Sequence, residues 1–152
     1  MKVRSIKELI QISLNNNLNI YAEYTFGKLP AKQSKIIEEV IGYRLVGSPR
    51  IMDSNGIRHA LRKHGNDKLE SKHGQIAINI DDFSKLPQIL KEPDAITYAG
   101  KNRLKQETFL YEKRIGSIYY VAEAVRHSKT GNKLIFQTMY KRKKTTDQLI
   151  DR

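Results

Sequence analysis

Apolar residues recur at helical spacing in the first part of the chain. Between residues 5 and 14, one helical face is formed by Ile6, Leu9, Ile10 and Ser13. A run of asparagines at 15–17 then favours a break. A second pattern at 30–43 begins with a proline suited to a first helical turn, and its apolar positions are Ile36, Ile37, Val40 and Ile41. The two patterns predict two amphipathic helices.

The stretch GIRHALRKHG, residues 56–65, predicts a third helix. The connector at 45–56 contains glycines and a proline, and Asp53 or Ser54 is suited to cap the helix. One narrow arc of the helix consists of Ile57, Ala60, Leu61 and His64. His59 points to roughly the opposite side. The two histidines are therefore not expected to share a face.

Gly65 is suited to end the third helix, and the composition of 66–75 is typical of a mobile basic loop. A fourth helix is predicted at 82–91, because the preceding acidic residues can cap it and Pro93 ends it. The sequence therefore predicts four helices, joined by connectors, in the first 91 residues.

The last third of the chain changes character. Four segments rich in Ile, Val, Thr, Tyr and Phe are separated by short turns, and they lie at 94–101, 103–113, 117–127 and 132–143. Sequential strands with short connections favour an antiparallel meander. Helices followed by strands predict an α+β fold, in which N-terminal helices pack on a four-stranded or slightly larger antiparallel sheet.

A chain of 152 residues is most simply one globular domain. We divide it into a helical segment at 1–45, a main functional domain at 46–145 and a polar tail at 146–152 that is expected to fray. The first segment either supports the main domain, of which it can be a part, or carries the protein into a cell.

The charge balance points to a polyanionic partner. The chain has 28 Lys and Arg against 16 Asp and Glu, which gives a formal net charge of +12. Such a field attracts nucleic acid first, and an anionic membrane or an acidic protein second.

No apolar run approaches the roughly 20 residues of a membrane span, and we expect no stable membrane association. The absence of cysteine excludes disulfides and thiolate chemistry.

The last strand and the third helix contain the best candidates for chemistry. Along KLIFQTMYK, strict alternation places Leu134, Phe136, Thr138 and Tyr140 on one face. The hydroxyls of Thr138 and Tyr140 would then be about 7 Å apart along the strand. If the third helix covers this sheet with its apolar arc, His64 points towards them. Each residue also has a structural interpretation, as a strand former or as a packed histidine.

A phosphate-cleaving site also needs a cation aimed at the phosphate oxygens. Arg126 is the preferred candidate, because its predicted strand neighbours that of Thr138. Arg103 and Lys105 on the second strand, with Lys63 on the third helix, are the next cationic candidates for contacting phosphate or RNA. His59 is the candidate second acid or base, or a residue that supports the site from outside, although its position predicts exposure to solvent.

Several kinds of site are missing from the sequence. Glycine-rich phosphate loops, the Gly-x-Ser-x-Gly elbow and the paired-histidine zinc helix do not occur. We therefore predict no metal and no cofactor. RNA supplies its own nucleophile, the 2′-hydroxyl, so an enzyme acting on it needs only a base, an acid and a cationic cradle.

Three blocks taken together resemble a known group of nucleases. These are GIRHALRKHG, then IDDFSKLPQILKEPDAITY, then two hairpins that end in GNKLIFQTMYK. Their order over about residues 50–143 is similar to the phage and polymorphic-toxin branch of the barnase, EndoU, colicin-nuclease and RelE-like superfamily.

The resemblance implies a small endoribonuclease that cleaves RNA, tRNA being one candidate, without metal by transesterification to a cyclic phosphate. It further implies a secreted or surface-delivered toxin domain of the contact-dependent growth inhibition type, which acts in the cytoplasm of a target bacterium. A cognate immunity protein would block it, and the charge of the chain predicts an acidic one. Carried over by position, His64 and His59 match the family's helix motif, and Thr138 and Tyr140 match its last strand; Arg126 is the less supported cation.

Two other functions fit the same composition. A non-catalytic basic module could hold RNA or DNA without cutting it, and a phage-associated accessory protein could use the charge to contact DNA. In both cases the histidines would be incidental. Binding that leaves the nucleic acid intact would favour the first of these alternatives.

Overall fold

The computed structural model describes residues 1–15, 20–72 and 74–143. The helices are α1 (Ile6–Leu14), α2 (Ala31–Ile41), α3 (Ser54–His64), α4 (Asp67–Lys72) and α5 (Leu86–Lys91), with a 3₁₀ helix at Ile80–Lys85. The strands are β1 (Glu23–Lys28), β2 (Pro49–Asp53), β3 (Ala95–Lys101), β4 (Glu107–Ile115), β5 (Ser117–Arg126) and β6 (Lys133–Arg142). The α+β fold predicted from the sequence is confirmed.

Side chains cap the starts of α1 and α3. The Ser5 hydroxyl accepts a hydrogen bond from the backbone N–H of Glu8, which starts α1. Asp53 accepts one from the N–H of Gly56 and starts α3. Each cap satisfies one of the backbone donors that a helix start leaves without a partner. Of the two predicted caps of α3, Asp53 and Ser54, the structure has Asp53.

The sheet has six strands in the order β1-β2-β6-β5-β4-β3. The predicted meander accounts for β3 to β6, which pair antiparallel in sequence order. The other two strands were not predicted: β2 pairs parallel with β6, and β1 pairs antiparallel with β2. The prediction of a loop at 45–56 was wrong. β2 has only five residues and runs directly into α3, so its sequence shows no alternating pattern that would indicate a strand.

One face of the sheet forms the core with the helices. The buried core cluster includes Leu9 of α1, Ile57 of α3, Phe83 of the 3₁₀ helix, Val121 of β5 and Met139 of β6. Val3 and Leu29 belong to the same cluster, so the described part of the N-terminal segment shares this core. None of the described helices is long and apolar enough to cross a membrane.

The opposite side of the β4-β5-β6 ladder is called the outer face here. Paired residues of an antiparallel ladder project to the same side. Core residue Val121 pairs with Met139, so the pairs on either side of it, Tyr120–Tyr140 and Ala122–Thr138, project outwards. The outer face is formed by Leu110, Glu112, Tyr120, Ala122, Thr138, Tyr140 and Arg142.

A β-bulge in β6 corrects the predicted alternation. Ala122 pairs with Thr138 but Glu123 pairs with Phe136, so Gln137 is an extra residue. Leu134 and Phe136 therefore lie in the core, with Met139, and not on the face that carries Thr138 and Tyr140. A single inserted residue reverses the face of every position after it.

Two further local predictions were wrong. Ile36 and Val40 are exposed on α2, because the buried side of that helix is formed by Gln33, Ser34 and Ile37. The Gln33 side chain donates to the Leu90 carbonyl and accepts from Arg50, so a polar residue is buried where an apolar one was expected. The segment predicted as a mobile loop, 66–75, contains α4. The predicted frayed tail and His73 lie outside the described residues.

Candidate active site on the outer face

Tyr140 is the centre of a cluster of rings on the outer face. Its ring stacks on Tyr120, its ladder partner, with ring centroids 4.8 Å apart. The imidazole of His64, at the end of α3, lies 5.2 Å from the Tyr140 ring. The expectation that α3 directs His64 towards the hydroxyl-bearing part of β6 therefore agrees with this geometry.

Glu70 contacts the Nδ1 atom of the His64 ring. The Nδ1 atom of His64 lies 3.1 Å from Oε2 and 3.3 Å from Oε1 of Glu70, and both residues are buried. A carboxylate at Nδ1 favours the proton on that nitrogen and leaves Nε2 as the basic atom. The pair has the arrangement in which a carboxylate orients an imidazole for proton transfer.

The close approach of α3 and α4 depends on Gly65. At this position a side chain would collide with the Leu61 carbonyl oxygen, the same oxygen that accepts the Gly65 N–H. Glycine thus lets the chain turn tightly after His64, and Asn66 caps the start of α4 by accepting from two backbone N–H groups. The turn brings Glu70 back to His64, only six residues later.

Two buried polar atoms on β6 have no hydrogen-bond partner. Four such side-chain atoms occur within residues 1–15, 20–72 and 74–143, and two of them belong to the Arg50–Glu123 ion pair, at 3.2 Å. The other two are Oγ1 of Thr138 and Nε of Arg142. Burying a polar group without a partner costs free energy, so such groups call for an explanation, and a substrate that supplies the missing partner is one. They lie on either side of Tyr140.

The phenols of this cluster are hydrogen-bond donors at neutral pH. Burial, followed by the neighbouring Tyr120, raises the pKa of Tyr140, while Arg142 acts in the opposite direction. Burial and the carboxylate of Glu112 likewise raise the pKa of Tyr120. The guanidinium of Arg142 lies 5.5 Å from the centre of the Tyr120 ring. The cluster therefore combines two protonated phenols with one cation.

Asp82 fixes the other side of β6. Lys141 places its ammonium 3.0 Å from Oδ2 of Asp82, and the Tyr119 hydroxyl donates to Oδ1 at 2.6 Å. Burial alone would raise the pKa of Asp82, but hydrogen bonds from Tyr119, the Asn79 backbone and Lys141 together lower it. Asp82 also completes a capping box with Asn79. Lys141, between Tyr140 and Arg142, is thereby anchored to the 3₁₀ helix.

The candidate site residues named from the sequence fall into two groups. His64, Thr138 and Tyr140 lie around the ring cluster. His59 and Arg126 instead line a cavity of about 310 Å³ between α3 and β6, together with Asp53, Asn55, Gly56, Ile135, Phe136 and Gln137. The ladder partner of Thr138 on β5 is Ala122. Arg126 lies four residues further along β5, and thus about 13 Å from Ala122.

His59 is more enclosed than its helical position predicts. It is half-buried, and it lines one cavity with Asp53 at the end of β2 and Asn55 at the start of α3. Burial, and then the charges of Lys63 and Arg62, lower the pKa of His59. This histidine is therefore mainly neutral at pH 7.

The cationic candidates at the periphery are exposed. Arg103 and Lys105 lie in the turn between β3 and β4, not on a strand, and Lys63 lies near the end of α3. Asn102, at the start of that turn, donates to Gln137 at 3.5 Å, so the turn reaches towards the bulge of β6. Arg103 and Lys105 are thus near the outer face without taking part in the ring cluster.

Sequence reasoning did not single out Glu70 or Arg142 as candidate site residues. Arg142 could have been found, because it follows Tyr140 by two residues and shares its face. Glu70 could not, because its position depends on a helix that the sequence did not reveal. Within the described part of the chain, no group of three or more His, Cys, Asp or Glu side chains is arranged to hold a metal ion.

Comparison with known proteins gives one family. The model of phage-Barnase-EndoU-ColicinE5/D-RelE like nuclease 3 matches residues 28–148. No curated protein and no solved structure matches the chain.

Proposed function

The chain belongs to the phage-Barnase-EndoU-ColicinE5/D-RelE like nuclease 3 family and is a nuclease of that superfamily, and we propose that it cleaves RNA without a metal ion, as a toxin. One observation carries this proposal: the imidazole of His64, oriented by Glu70, lies beside Tyr140, and the two unpaired polar atoms of β6 lie on either side of Tyr140 along the strand. The family membership weighs against the two non-catalytic alternatives.

The reaction follows from the chemistry of RNA. The 2′-hydroxyl oxygen attacks the adjacent phosphorus, and its proton passes to Nε2 of His64. The bond from phosphorus to the 5′-oxygen breaks, and that oxygen takes a proton from the phenol of Tyr140. The products are a 2′,3′-cyclic phosphate and a 5′-hydroxyl.

The phosphate is held by the groups that lack partners. Thr138 donates from Oγ1 to one non-bridging oxygen, and the guanidinium of Arg142 offsets the charge that gathers on these oxygens in the transition state. In this proposal Arg142 takes the cationic role first assigned to Arg126, because it adjoins Tyr140 on the outer face.

The charge of the protein supports an RNA substrate. A net charge of +12 favours capture of a polyanion, and the exposed Arg103, Lys105 and Lys63 can contact the strand on either side of the cleaved bond. Single-stranded loops, such as those of tRNA, present bases and 2′-hydroxyls that a small site can reach. tRNA is therefore the first defined substrate to test.

A toxin of this kind needs protection in the cell that makes it. We infer a cognate acidic immunity protein, which covers the outer face, and delivery from outside into the cytoplasm of a target bacterium. Association with such a partner should slow as salt rises, because steering between opposite charges is screened. A partner isolated from the producing cell that is basic, and binds at a rate independent of salt, would contradict this inference.

The central experiment incubates the purified protein with total bacterial RNA in excess EDTA. The expected result is discrete fragments that end in cyclic phosphate, with none from the His64→Ala variant. Circular dichroism of the variant checks that it is folded. Intact RNA that stays bound to the wild-type protein would instead identify a binding module.

A further inference from the structure

The cavity between α3 and β6 lies beside the proposed reaction centre. It begins at Gln137, the bulge residue next to Thr138. His59 lines it from α3, five residues and thus about 7.5 Å of helix rise before His64. Because Gln137 lines the cavity and directly precedes Thr138, one nucleotide can place its phosphate at Thr138 and its base in the cavity.

The lining has the chemistry of a site for a flat polar ring. Donors come from the guanidinium of Arg126 and the side-chain amides of Asn55 and Gln137, and an acceptor comes from the carboxylate of Asp53. Ile135 and Phe136 supply the apolar part of the wall. A volume of about 310 Å³ is at the small end of ligand pockets, which is suited to a single ring system.

The bulge explains why the cavity is there. At Gln137 the ladder with β5 is interrupted, and β2 pairs with β6 only at Leu134 and Ile135. Beyond these residues β6 stays paired with β5 but no longer with β2, and α3 also contacts β6. In the first turn of α3, Gly56 packs closely against Phe136, where a larger side chain would collide. The cavity lies beside this contact.

We propose that this cavity binds one nucleobase of the RNA, next to the cleaved phosphate, and that guanine is the base it selects. Guanine presents O6 and N7, which accept two hydrogen bonds from one guanidinium, and its N1–H and amino group can donate to a carboxylate. Arg126 and Asp53 provide these two partners. The inference rests on the proposed ribonuclease function, and it gives Arg126 and His59 a role in base specificity in place of charge compensation by Arg126 and proton transfer by His59.

The test sequences the cyclic-phosphate ends that the protein makes from a pool of single-stranded RNA with randomised bases. The wild-type protein should prefer guanine at one position next to the cut. Arg126→Ala and Asn55→Ala should each reduce that preference on the order of tenfold while cleavage continues. Arg44→Ala, which removes an exposed arginine from a different cavity, is the matched control and should preserve the preference. Cleavage without base preference, or a preference that both cavity variants retain, would overturn the proposal.

A second measurement separates this proposal from the ribonuclease function. Guanosine 3′-monophosphate is titrated into the wild-type protein, and the backbone amide resonances of Asn55, His59 and Gln137 are followed by NMR. Shifts that uridine 3′-monophosphate does not cause support the cavity, even if the protein cuts no RNA. Equal shifts with both nucleotides, or none, overturn it, even if the protein is an active ribonuclease.

Discussion

Glu70 lies six residues after His64 and holds its Nδ1 atom at 3.1 Å, inside the protein. The contact joins the ends of two short helices across a tight turn. It fixes both the orientation of the imidazole and the nitrogen that carries the proton. The proposed reaction depends on this pair.

Replacing Glu70 with Gln should slow RNA cleavage by at least about tenfold, because a neutral amide stabilises the imidazolium less and no longer selects one tautomer. Nitrogen-15 NMR of the His64 ring should show a single Nδ1-protonated tautomer in the wild type and a mixture in the variant. Glu70→Asp should recover part of the rate. Exposed Glu39→Gln is the control, and equal rates for Glu70→Gln and this control would contradict the role.

Thr138→Val should reduce cleavage by about tenfold or more without reducing stability. The Thr138 hydroxyl is buried without a partner, so its removal costs the folded protein no hydrogen bond and relieves a desolvated group. The measurement pairs thermal unfolding with cleavage kinetics. A clearly lower melting temperature would show that the hydroxyl stabilises the fold. Cleavage at the wild-type rate would show that the hydroxyl takes no part in the reaction.

The phenol of Tyr140 is tested by changing the leaving group. Tyr140→Phe should cleave RNA at least about tenfold more slowly, because the departing 5′-oxygen needs a proton. A 3′-(4-nitrophenyl phosphate) of a nucleoside releases a phenolate that needs none, so the variant should cleave it at nearly the wild-type rate. Equal losses on the two substrates would mean that Tyr140 only positions the phosphate.

Arg142→Gln should lower cleavage about a hundredfold, since it removes the cation nearest the proposed phosphate position. Arg44→Gln removes the same charge from an exposed position elsewhere and should change the rate little. Both variants are compared at the same ionic strength, because salt screens the general attraction for RNA. The assignment fails if the two variants lose activity equally.

Asp82→Asn should destabilise the protein more at pH 7 than at pH 3. The folded structure lowers the pKa of Asp82, so its contribution to stability is present above the unfolded value, about 3.9, and is lost as the pH falls through the folded value. Urea unfolding of both proteins at the two pH values measures the difference. The same difference at pH 7 and pH 3 would mean that the charge of Asp82 does not stabilise the fold.

The sequence by itself determined the α+β class, the capping of α3 and the antiparallel order of β3 to β6, and it proposed His64, Thr138 and Tyr140 as candidate site residues. These features are local: helix periodicity, capping residues and short turns act between residues close in the chain. The charge of +12 is likewise independent of the fold. The charge alone predicted a polyanionic partner.

The tertiary structure alone decided how the candidate residues are grouped. The extra residue at Gln137 turns Phe136 into the core and Thr138 away from it, and strict alternation cannot reveal such a bulge. The parallel pairing of β2 with β6 joins segments more than eighty residues apart, and α4 forms where the composition suggested a loop. The formation of α4 after the turn at Gly65 brought Glu70 to His64, and long-range packing placed His59 with Arg126. Both contacts depend on where whole elements lie, and the sequence pattern alone does not reveal those positions.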